Sequence, residues 1–166
     1  MDRGGASRWG IRAAALASLF ASALHSTLVS AHIAEWWLTG LFFIAASLLQ
    51  GLYGLVLLAL PPVRPAWAKS SWDVWKRKLF WGGIWGNLAI LALYAITRTV
   101  GIPGLGAQAA QVQPVGAVDA LTLGAEVLTV AWLGWALRMM PATAPGQEAW
   151  VANAPSQEPA PVPRSR

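Results

Sequence analysis

The chain has 166 residues, of which 56% are apolar and only 11% charged, with a net charge of +5 and no cysteine. So few charges cannot cover a soluble protein, whose charged share is about 25%. The lack of cysteine excludes disulfides, thiolate metal sites and iron–sulfur clusters, and the length fits a single domain.

Residues 1–10 read as a short basic cytoplasmic leader, after which apolar runs cover 11–34, 37–60, 79–97 and 118–137. Each is close to the ~20 residues that cross a bilayer as helix. Backbone groups inside the bilayer must pair within their own segment, so the runs are expected to be helical. The expected fold is all-α, a four-helix transmembrane bundle within residues 11–140. A Pro/Ala-rich tail at 141–166 reads as a disordered cytoplasmic extension.

Orientation follows from where lysine and arginine fall. Arg3, Arg8 and Arg12 lie before or at the start of the first run. Arg64, Lys69, Lys76, Arg77 and Lys78 lie between the second and third, and Arg138, Arg164 and Arg166 follow the fourth. With four spans all of these share one side, and only Arg98 falls opposite. Both termini and the middle loop are therefore expected in the cytoplasm, with the turn at Glu35-Trp36 facing out. The cations sit where membrane topology places them, so no nucleic-acid partner is expected. Trp67, Trp72, Trp75 and Trp81 in and beside the middle loop read as an interfacial belt. The outer loop, 99–117, is rich in Gly and Pro and carries Gln108, Gln111 and Gln113. A connection of that length suits a lid.

The N-terminus has a second reading. A basic start, an apolar stretch and Val29-Ser30-Ala31 resemble a secretory signal with a small-residue cleavage site. Cleavage after Ala31 would leave His32 as a new N-terminus, able to grip copper with amine and imidazole together.

Residues three, four or seven apart share a helix face. One polar stripe emerges on each helix: Ser18, Ser22, His25 and His32; Thr39, Ser47, Gln50 and Gly54; Gly83, Asn87, Tyr94 and Arg98; Asp119, Thr122, Glu126 and Thr129. Polar stripes in a membrane bundle point inward. From the rise per residue, His25, Gln50, Asn87 and Glu126 lie ~12–18 Å below the outer turn and fit one layer. His32, Glu35, Tyr94, Arg98 and Asp119 fit a shallower layer at the outer mouth. On helix 3, Gly82-x-x-x-Gly86 offers a surface for close helix contact.

Imidazole and carboxylate together suit a transition metal ion such as Cu, Zn or Fe. His25, His32, Glu35, Asp119 and Glu126 are the candidate ligands, with Gln50, Asn87, Tyr94 and Arg98 as a supporting polar network. His25 and His32 stand about 10 Å apart along one helix and cannot share an ion. A site must therefore form across helices, from His32 with Glu35 and Asp119 or from His25 with Glu126. His32-x-x-Glu35 is a single pair of the kind that di-iron bundles use twice, so a full di-iron centre is not expected. One histidine ligating haem or chlorophyll is a further alternative. The bland reading is a packing network in which His25 bonds Glu126, Gln50 and Asn87 while Arg98 pairs with Asp119 or Glu35.

The stretch HIAEWWLTGLFF with Gln50, then Asn87, then Tyr94-x-x-x-Arg98-Thr99-x-Gly101-x-Pro103, then an acidic fourth helix, resembles a family of small uncharacterised bacterial multi-pass membrane proteins. The resemblance spans residues 23–137 and implies the four-span architecture in a bacterial plasma (inner) membrane, with no activity attached. The outer loop lacks the acidic residue that the family pattern suggests after Gly106.

The expected function is a membrane protein with an outward-facing His/carboxylate site that binds or passes a cation, either a transition metal ion or a proton. The rival is a small structural or cofactor-shielding subunit of a larger respiratory or photosynthetic membrane complex. An enzyme using a bound metal ranks third. Seven acids and two histidines offer little acid–base machinery, so the reading leans away from catalysis. The expected partners are the lipid bilayer and, on the rival reading, other membrane subunits.

Overall fold

A computed structural model describes residues 3–61, 72–99 and 115–140. The tail from 141, nearly all of the outer loop with its expected lid, and the middle-loop residues Arg64, Trp67 and Lys69 lie outside the described residues.

Four helices make up the structure: α1 Arg3–Glu35, α2 Trp37–Ala59, α3 Trp72–Thr99 and α4 Ala117–Met139. All four are long and apolar enough to cross a membrane. Two of them extend beyond the apolar runs. Residues 3–10, read from sequence as a leader, form the first turns of α1, and Gly10 packs closely on Trp132 and Trp135 of α4. Helix α3 begins at Trp72, where Asp73 in the first turn suits the positive end of the helix dipole.

Only Trp36 separates α1 from α2. Its extended backbone, φ −165° and ψ 126°, reverses the chain, and its carbonyl accepts from Gly40 N–H at 3.2 Å. Gly40 makes this tight return possible, since a Cβ there would lie 2.8 Å from Ile33 Cα. At the start of α4, Asp119 Oδ2 accepts from Gly116 N–H at 3.0 Å and satisfies one of the free amides of the first turn.

Neighbours run antiparallel. Helix α1 packs between α2 and α4, and α3 packs on α4. Helices α2 and α3 are bridged by long side chains: the Tyr53 ring fills the space that a Cβ at Gly83 would take, and its hydroxyl donates to Leu79 O at 3.1 Å.

The distribution of side chains is reversed relative to a water-soluble bundle. Leu48, Leu49, Leu52, Leu55 and Trp85 are exposed, whereas Ser18, His25, Gln50, Asn87, Thr122, Glu126 and Thr129 are buried. An apolar exterior of this extent suits lipid contact. Trp75, Trp81 and Trp85 belong to the same exterior, with Trp75 stacked on the half-buried Trp72 and Trp81 stacked on Trp85. Among the described residues the expected contact at Gly82-x-x-x-Gly86 is not made. A Cβ at either glycine would meet nothing within 4 Å among the described residues, because α3 turns the adjacent face, with Gly83 and Asn87, inward.

The apolar core is lopsided. Ala14, Ala15, Leu57, Phe80, Ile84, Leu133 and Ala136 fill the half of the bundle at the α1 N-terminus. The other half holds the polar groups.

Candidate functional site: a buried histidine–glutamate pair

Each helix carries one member of a central polar layer: His25 on α1, Gln50 on α2, Asn87 on α3 and Glu126 on α4. All four are buried, His25 and Glu126 to 3% and 2% exposure. Moving seven residues along a helix returns to nearly the same face about 10 Å away. Seven residues toward the outer end lie His32, Phe43, Tyr94 and Asp119. Seven residues the other way lie Ser18, Leu57, Phe80 and Leu133. The last three of these are almost completely buried and form an apolar floor under the central layer.

The core of the site is a contact between His25 Nε2 and Glu126 Oε1 at 3.0 Å. With Glu126 as carboxylate and His25 neutral, Oε1 accepts, so Nε2 carries the hydrogen and Nδ1 keeps its lone pair. The Gln50 amide donates to Glu126 Oε1 at 3.5 Å and to Asn87 Oδ1 at 3.3 Å. Asn87 is held in register because its own amide donates to Gly83 O at 2.8 Å, one turn back on α3. Ser18 Oγ donates to Gln50 O at 2.8 Å and ties the base of the layer to α1. Two buried atoms, His25 Nδ1 and Gln50 Oε1, have no hydrogen-bond partner among the described residues. Unpaired polar atoms in an apolar interior are costly.

At the outer layer Arg98 Nη2 meets Asp119 Oδ2 at 2.7 Å, and the guanidinium lies 5.2 Å from the centre of the Tyr94 ring. His32 is half-buried. Its Nδ1 is 3.1 Å from Leu28 O, which only accepts, so this nitrogen is protonated and Nε2 is the open one. The His32 ring packs on Phe43 with centroids 4.2 Å apart, and the same Phe43 ring lies 5.5 Å from that of His25. Glu35 is exposed at the end of α1.

The structure therefore joins His25 with Glu126, Gln50 and Asn87, and joins Asp119 with Arg98. It does not gather His32, Glu35 and Asp119. Among the described residues no three His, Cys, Asp or Glu side chains converge to hold a metal ion. The reason is that Asp119 is committed to Arg98 and to the α4 N-terminus, while Glu35 turns outward. One residue central to this geometry carries no polar signal in the sequence: Phe43, whose ring lies near both imidazoles. Its place on the α2 stripe, seven residues before Gln50, is the only trace of it.

Comparison with models of known protein families, with curated proteins and with solved structures gave no match for this chain.

Proposed function

We propose that this chain is a multi-pass protein of a bacterial inner membrane that takes up and releases a proton at the His25–Glu126 pair, from the outer face. The observation that carries this reading is the buried 3.0 Å contact between His25 Nε2 and Glu126 Oε1 inside an apolar exterior. Ionisable groups inside membrane segments mark proton or ion sites more often than not. A proton added at the open Nδ1 turns the imidazole into imidazolium, and the new charge is neutralised by Glu126 across that contact.

The proton fits the donor set better than a transition metal ion does. Structural zinc sites use four protein ligands and catalytic ones three, whereas one imidazole and one carboxylate converge here. A haem or chlorophyll ligand would have to be His32, whose Nε2 is open, because His25 Nε2 is held by Glu126.

The site is one-sided on this reading. Leu57, Phe80 and Leu133 seal it toward the end that carries Arg8, Arg12, Lys76, Arg77, Lys78 and Arg138. By the positive-inside bias that end is cytoplasmic, and both termini with it. Retention of α1 is part of the proposal: Ser18, Ser22 and His25 bind α2 and α4, so cleavage after Ala31 would remove half of the site.

Infrared difference spectroscopy across a pH series, on protein in lipid nanodiscs, tests the reading. A carboxylate band that shifts as His25 gains its proton is expected, absent in Glu126→Gln and no longer dependent on pH in His25→Ala. If no band depends on Glu126, the rival reading, a packing subunit of a larger membrane complex, takes its place.

A further inference from the structure

We propose that the proton reaches the pair by way of His32 and past the ring of Phe43, which acts as a dry gate between the two imidazoles. The inference rests on the proton reading above and adds the route and its control.

The two histidines lie on one face of α1, seven residues apart, with their Cα atoms about 10 Å from each other. Phe43 of α2 lies against both, its ring centroid 4.2 Å from that of His32 and 5.5 Å from that of His25. The tautomers are set by the contacts. His32 Nδ1 is tied to Leu28 O and leaves Nε2 to collect a proton, while His25 Nε2 is tied to Glu126 and leaves Nδ1 to receive one. His25 Nδ1 is buried with no partner among the described residues. His32 is half-buried in the layer nearest the α1–α2 turn. One imidazole thus faces supply and the other faces storage, with an apolar ring filling the interval.

Rotation of the Phe43 side chain would admit water between the open nitrogens and complete a hydrogen-bonded path. Closure would expel it and hold the proton on the inner pair. An imidazolium on either side also gains from the electron-rich face of the ring within about 6 Å. The ionisable groups around this route are few. Glu126 of α4 faces His25. In the outer layer Asp119 of α4 is paired with Arg98 of α3, whose guanidinium lies over Tyr94, and Glu35 is exposed at the end of α1.

The test is NMR on protein labelled with 15N-histidine in lipid nanodiscs, reading how fast the His25 ring nitrogens exchange protons with solvent. In the native chain His25 should exchange much more slowly than His32. Phe43→Ala should speed His25 exchange by about tenfold or more, which corresponds to ~1.4 kcal/mol off the opening barrier. Phe43→Leu keeps an apolar plug and should stay near the native rate, as should Phe20→Ala on the lipid-facing side of α1. His32→Ala should slow exchange at His25. Native His25 exchanging as fast as His32, or no change in Phe43→Ala, overturns the gate. An unchanged rate in His32→Ala overturns the route. Each of these failures leaves the infrared test of Glu126 standing, so the two readings fail separately.

Discussion

Ser22 and Ser47 exchange hydrogen bonds across the α1–α2 hairpin. Ser22 Oγ donates to Ser47 O at 2.7 Å, and Ser47 Oγ donates to Ser22 O at 3.0 Å. In lipid there is no hydrophobic drive between helices, so small residues and such polar contacts hold them together. The pair sets the register that brings Gln50 to Ser18 one turn further on. Ser22→Ala and Ser47→Ala are each expected to cost ~0.6 kcal/mol, the average for hydrogen bonds inside membranes. The double variant should lose less than the sum of the two single losses, a coupling visible in a double-mutant cycle of reversible unfolding in mixed detergent.

The central pair should show a larger coupling. Removing one partner leaves the other buried and unpaired, so Glu126→Leu alone is expected to destabilise by ~3 kcal/mol. His25→Leu with Glu126→Leu, an apolar replacement of the whole pair, should recover much of that loss. The same unfolding assay reads both. A double-variant loss equal to the sum of the losses in Glu126→Leu and His25→Leu would mean that the two side chains are not coupled.

Asp119 does two jobs, and substitution separates them. Asp119→Asn keeps an acceptor for Gly116 N–H but drops the charge opposite Arg98, while Asp119→Ala removes both. The alanine variant should be the less stable by ~1 kcal/mol, the worth of a helix N-terminal cap. Amide hydrogen exchange at the first turn of α4 should rise in the alanine variant only.

Two glycines give opposite predictions. Gly40→Ala forces a Cβ to within 2.8 Å of Ile33 Cα, where backbone cannot yield cheaply, so the hairpin must open at a cost of ~1–3 kcal/mol. At Gly82 a Cβ meets nothing within 4 Å, so Gly82→Ala should be tolerated. A thermal-stability comparison in detergent is enough to read both.

Part of this architecture is local and could be read from the chain. Apolar runs of bilayer length give the helices, and the 3.6-residue period assigns Ser18, Gln50, Asn87 and Glu126 to inward stripes. Depth arithmetic then puts His25, Gln50, Asn87 and Glu126 at a similar level, and in the structure hydrogen bonds join them. The ends of α1 and α3 are less legible. Residues 3–10 and 72–78 are too polar to register as apolar runs, yet no proline interrupts them and they continue as helix.

The pairing of side chains was not local. The sequence left Asp119 free to serve His32 or Arg98. Packing of α3 on α4 settles the matter by placing Arg98 Nη2 2.7 Å from it, at the α4 end where its carboxylate also caps Gly116. His32 met an aromatic ring where a carboxylate was expected, because the one-residue turn at Trp36 brings the first turns of α2 back against α1 and lays Phe43 across both imidazoles. Helix number, inward faces and depth thus belong to the sequence, since each depends on the rise and period of one helix alone. Which groups touch depends on rotation and crossing between helices, and only the tertiary structure decided that.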